Sequence, residues 1–188
     1  MISLEKLTHS TAATKELVTI VMALASANAV SQFIAIPVKN KFSYMLLIGI
    51  LLAVIRFYHG NVLAIDRYAD VGAPKPLAQG ISFFVVIAQS FLFTFMPYFF
   101  VKPKILLFLV GALFALDVLW WVPTAIWAPH LDRHEQVWAT LALVGGVFIA
   151  LMAVFAWSDY FPATIAFVLI LTTILDYVIN WQGLYFPS

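Results

Sequence analysis

Long apolar stretches, separated by short polar connections, dominate this chain. Six stand out: Glu16–Val38, Phe42–Ile65, Leu77–Phe100, Ile105–Ala128, Gln136–Trp157 and Pro162–Trp181. Each is close to the roughly 20 residues a helix needs to cross the hydrocarbon core of a bilayer. None alternates at period two, so the pattern predicts helices and not strands. The expected fold is all-α: a polytopic integral membrane protein with six transmembrane helices arranged as three helical hairpins and both termini on the same side. Residues 1–15 form a short polar N-terminal segment, and residues 16–188 a single membrane domain. Lys6 and Lys15 precede a run containing Ala25-Ser26-Ala27-Asn28-Ala29, which has the look of a signal-peptide cleavage region. The apolar run continues through Phe33-Ile34-Ala35-Ile36, so the segment reads as a retained first helix.

Composition strengthens the membrane reading. The chain is 64% hydrophobic and 10% charged, with mean hydropathy +1.00, whereas a soluble domain carries about a quarter charged residues. The expected surroundings are a lipid bilayer in a multi-pass arrangement, with a homo-oligomer or another membrane subunit as the expected protein partner. A net charge of +1 gives no strong field for nucleic acid. The absence of cysteine excludes disulfides, thiolate metal sites and cysteine nucleophiles. Orientation is not set by charge. Lys39, Lys41, Lys102 and Lys104 fall in the connections expected on one side, and Lys6, Lys15, Arg67, Lys75 and Arg133 on the other.

Three ionisable residues interrupt the apolar stretches: Arg56, Asp117 and Asp176, spaced 61 and then 59 residues apart. A charge at bilayer depth is costly and faces a partner, the bundle interior or a water-filled path. All three fall on alternate stretches at comparable depth, which raises the idea of a triplicated hairpin, although residue identity among the three is poor. Guanidinium stays charged and needs an acceptor, so Arg56 is expected to pair with Asp117 or Asp176. One arginine cannot neutralise two acids. The acid left over is the candidate carrier of a proton or cation.

Helical spacing extends this polar interior. On the second stretch Gly49, Ala53, Arg56, His59, Gly60 and Leu63 share a face, with Asn61 close by. Thr173, Asp176, Asn180 and Gly183 do so on the sixth, and Asp117, Trp121 and Thr124 on the fourth. The first contributes Ala25, Asn28, Gln32 and Ala35, and the third Ser82 and Gln89. The site expected from sequence is therefore Arg56, Asp117, Asp176, His59, Asn61, Asn180, Asn28, Gln32 and Gln89. On the fifth stretch Ala142, Gly146 and Ala150 recur at four-residue steps, a pattern that lets helix backbones approach closely within or between protomers. Tyr44, Tyr98, Trp157 and Tyr160 near one side, and Tyr68, Trp127, Trp138, Trp181 and Tyr185 near the other, read as anchors at the membrane–water boundary.

No metal or other cofactor is expected. His130, Asp132 and His134 are of ligand type, but their spacing matches no short metal motif, and Asp132 reads equally well as a helix cap. No phosphate loop or nucleophile elbow is present. The sequence thus points to a transport or channel-type protein that moves an ion, proton or small polar solute through a helix-lined polar interior. The alternatives are a non-transporting anchor, sensor or scaffold subunit, and an intramembrane enzyme acting on a lipid-like substrate.

Overall fold

A computed structural model describes the backbone of residues 4–70, 76–127, 133–154 and 160–185, and the side chains of 12–63, 65, 83–121, 136–154 and 160–180. The described residues contain no strand. Six α-helices follow one another: α1 (Leu4–Ala35), α2 (Lys41–Asp70), α3 (Pro76–Phe95), α4 (Pro103–Trp127), α5 (Arg133–Val154) and α6 (Phe161–Tyr185). Five are long and apolar enough to cross a membrane, by way of Ala12–Ala35, Lys41–Leu63, Pro103–Trp121, Gln136–Val154 and Phe161–Asn180. The exception is the stretch expected at Leu77–Phe100. There α3 passes into a 3-10 turn at Met96–Phe99, and the apolar part found among described residues is the shorter Phe83–Phe99.

Local chemistry accounts for the helix boundaries. Asn40 caps α2, its side-chain oxygen accepting from the Ser43 amide at 3.0 Å. Lys39 closes the end of α1 by donating to the Ile36 and Ile34 carbonyls at 2.9 and 3.2 Å. Pro76 and Pro103 begin α3 and α4, where a missing amide proton costs nothing. The change from α to 3-10 geometry coincides with Pro97, which has no N–H to donate. Asn28 of α1 reaches across to this joint and donates to the Thr94 carbonyl at 2.6 Å. In lipid a neighbouring side chain of this kind replaces the solvent that would otherwise satisfy the backbone.

The helices form a closed ring in the order α1, α2, α6, α5, α4, α3 and back to α1, with α4 also touching α6 across it. Helices α2 and α6 run in the same direction, since Gly49 meets Ala166, Arg56 meets Asp176 and His59 meets Tyr177 in ascending order on both. Helices α4 and α5 run oppositely: Gly111 approaches Ile149, whereas Phe114 approaches Gly146 and Gly145. The α2–α6 interface is tight because Gly49 has no side chain; a Cβ there would lie 3.2 Å from the Ala166 carbonyl oxygen.

Buried positions recur at helical steps, such as Val18, Met22, Ala25, Ala29 and Phe33 on α1. Two expected inward positions face outward instead: Ala35 and Leu63 are exposed. Ala35 is the last residue of α1, whereas Ile65, two residues beyond Leu63, still packs against the core. On α5 the inward stripe is Trp138, Ala142, Gly145, Ile149 and Met152, with Gly146 half-buried and Ala150 exposed. Phe114 fills the gap that Gly145 leaves and also borders Gly146, so these two glycines serve packing within the chain. Outside the ring, large apolar side chains such as Phe84, Phe91, Phe108, Leu143 and Val178 lie exposed. An apolar surface this extensive is what lipid tails solvate.

Candidate functional site

The three charges converge. Arg56, Asp117 and Asp176 each lie about four turns from the start of α2, α4 and α6, which brings them to one level of the ring. Arg56 and Asp176 are 2% and 3% exposed, and Arg56 Nε donates to Asp176 Oδ2 at 2.9 Å. Asn180, about one turn further along α6, donates from Nδ2 to the other carboxylate oxygen of Asp176 at 2.7 Å. The partner of Arg56 is therefore Asp176, and the carboxylate is held on both oxygens.

Above the guanidinium sits an aromatic lid. Arg56 Cζ lies 4.4 Å from the centre of the Trp138 ring, and Phe57 meets the same indole edge to face at 5.3 Å. Trp138 gets this close to α2 because Gly60 leaves room for it; a Cβ at Gly60 would fall 2.2 Å from Trp138 Cζ3. Trp138 is thus a core residue at 7% exposure, which corrects its reading as a boundary anchor. Its position at the start of the α5 inward stripe explains the change. Tyr44, Tyr98 and Tyr160 are exposed at the helix ends, while Trp157 and the side chains of Tyr68, Trp127, Trp181 and Tyr185 lie outside the described residues.

Asp117 has a different environment. It is 2% exposed and accepts from Gln89 Nε2 at 2.8 Å through Oδ1, while the Trp138 side chain approaches the same carboxyl group. Arg56 and Asp176 act on it electrostatically without a direct ion pair. Its Oδ2 has no hydrogen-bond partner among the described residues. Arg56 Nη2 and the Trp121 indole nitrogen are in the same condition, as is Asn61 Nδ2. Such groups are rare in native interiors and mark functional sites, ordered water or ligands.

Polar and apolar residues divide along the ring axis. Towards the starts of α2, α4 and α6 the interior is apolar: Leu46, Ile50, Leu106, Leu107, Val110, Phe161 and Ile165 are all buried. Beyond the charges, towards the ends of these helices, His59 Nδ1 and the Tyr177 hydroxyl are hydrogen-bonded, and Asn61, Trp121 and Asn180 follow. Comparison with family models, curated proteins and solved structures finds no match. Geometry alone speaks for function.

The expected site residues divide into groups. Arg56, Asp176 and Asn180 meet directly, and Gln89 joins Asp117. His59 binds Tyr177, a partner on the neighbouring α6 that the expected stripe did not include. Asn28 belongs to the α3 joint, and Gln32 is half-buried further along α1. His130 and Asp132 lie outside the described residues, as do the side chains of His134, Ser82 and Thr124 and the surroundings of Gly183. Among described residues no group of three or more histidine and acidic side chains is placed to hold a metal.

Proposed function

We propose that this chain is a membrane transport protein that moves a proton or small polar solute through the interior of its helix ring, with six spans paired as hairpins and both termini on one side. One observation carries the reading: a buried carboxylate, Asp117, faces an already paired arginine and keeps one oxygen unmatched at mid-helix depth. Intramembrane groups of this kind line ion and substrate paths. Arg56 and Asp176 form the fixed part of the site, and Asp117 the responsive part. The apolar layer at the starts of α2, α4 and α6 closes one end, and the polar end gives access from the other. A proton or solute bound between them is exposed to one side at a time when the ring repacks.

The test is flux in reconstituted vesicles, followed by an interior pH dye under an imposed pH gradient. Asp117→Asn is expected to change the flux or its dependence on pH. Identical flux in wild type, Asp117→Asn and Asp176→Asn would sink the proposal.

A second reading is a non-transporting scaffold subunit, and the closed Arg56–Asp176 pair favours it, since such pairs fix helix register. Absence of flux, together with a stable membrane partner lost on Arg56→Ala, would select this reading.

A further inference from the structure

The buried cluster has more unmatched donors than acceptors, and this imbalance bears on what it binds. Arg56 Nη2 is one such donor and Trp121 Nε1 another. Trp121 follows Asp117 by about one turn on α4 and so shares its face. Asn61 Nδ2, further along α2, is unmatched too, but five residues from Arg56 it lies about 140° round the helix and away from that face. Against them stands one acceptor, Asp117 Oδ2. A cation is poorly served here: it needs several oxygens, and one is unmatched. A ligand rich in acceptor oxygens is well served.

Charge narrows the class. Asp176 neutralises Arg56, and the remaining charge facing Asp117 comes from no other helix among the described residues. Helix α3 contributes the neutral Gln89, α5 the neutral Trp138, and the 3-10 turn Met96–Phe99 no charged residue. An anion entering beside an ionised Asp117 meets like charge in a medium that screens it weakly. With a proton on Asp117 that repulsion disappears, and the carboxyl O–H becomes a further donor. One proton balances one negative charge, which suits a monoanion better than a phosphate dianion. We propose that the site takes a small carboxylate together with one proton, the carboxylate accepting from Arg56 Nη2 and Trp121 Nε1 and the proton residing on Asp117. Proton and anion move together, so the net charge carried is zero. This rests on the transport reading above and specifies its substrate class.

The experiment is thermal unfolding of the purified protein in detergent with sodium formate, sodium L-lactate or sodium benzoate, against sodium chloride and sodium phosphate at equal ionic strength. It is run at about pH 5.5 and about pH 8, both above the ordinary carboxylate range. At least one carboxylate is expected to raise the melting temperature, more strongly at the lower pH. Trp121→Phe removes the indole N–H and keeps an aromatic ring; it is expected to weaken carboxylate binding about tenfold. Asp117→Asn supplies a permanently neutral group and is expected to bind equally at both pH values. No shift with any carboxylate, or an equal shift with chloride, overturns the proposal, and so does unaltered affinity in Trp121→Phe. Carboxylate binding without uptake of labelled L-lactate into vesicles removes the transport reading and leaves the binding site standing. Proton flux without carboxylate binding does the reverse.

Discussion

Gly60 is the position where the smallest change should disturb the site most. A methyl group there would lie 2.2 and 2.3 Å from Trp138 Cζ3 and Cη2, so the indole must retreat by more than 1 Å to restore ordinary contact. It has little room to do so, being buried between Phe57 and the Arg56 guanidinium. Overpacking of this kind costs about 1–3 kcal/mol. Loss of the desolvated cation–π contact adds about 1–2 kcal/mol. Replacing a helical glycine by alanine returns about 1 kcal/mol, so Gly60→Ala should destabilise by roughly 1–4 kcal/mol. Gly111→Ala is the matched control, because its Cβ would sit 3.4 Å from Ile149 Cγ2, an ordinary contact. That variant should be neutral or more stable, by up to about 1 kcal/mol. Reversible unfolding in mixed detergent micelles, followed by tryptophan fluorescence, measures both. Combining Gly60→Ala with Trp138→Leu should recover part of the loss, because the two changes touch one contact. A Gly60→Ala protein as stable as Gly111→Ala would refute the packing of Trp138 on α2.

Other positions allow equally direct checks. Asp176→Ala leaves a buried guanidinium without its acid and should cost about 3–5 kcal/mol in the same unfolding assay. Asn28→Ala uncouples α1 from the Thr94 carbonyl and should cost about 1–3 kcal/mol, with faster amide exchange confined to the 3-10 turn. Lys39, Lys41, Lys102 and Lys104 are exposed in the two connections around α1, α2 and α4. Replacing all four by Gln should lower affinity for anionic over zwitterionic lipid by about 1 kcal/mol per residue, as read by lipid exchange in native mass spectrometry.

The spacing of Arg56, Asp117 and Asp176 makes their common depth legible from the chain alone, because each falls about four turns into its helix. The stripe Thr173, Asp176 and Asn180 is buried throughout, since a single helix face needs only local periodicity. Choosing Asp176 over Asp117 as the partner of Arg56 requires helix order, and the ring places α6, not α4, beside α2. Trp138 departs from its expected place for a related reason. A tryptophan near a helix start resembles a boundary anchor unless the glycine that receives it, Gly60 on a distant helix, is seen opposite. Tyr177 borders the polar stripe of α6, one turn after Thr173, but its aromatic ring does not announce a partner, and the contact with α2 brings it to His59.

Arg56 and its acid are separated by 120 residues. A ribosome delivers α2 long before α6, so during synthesis the arginine sits in a growing, incomplete chain. On insertion scales such a residue at a helix centre costs about 2.5–3.5 kcal/mol, a cost the nascent protein must carry until its last helix arrives. Ring closure and formation of the Arg56–Asp176 pair are then one event. Any chain that stops short of α6 leaves Arg56 without its hydrogen-bonded acid and with only the unpaired charge of Asp117 nearby, a signal that membrane quality control can read.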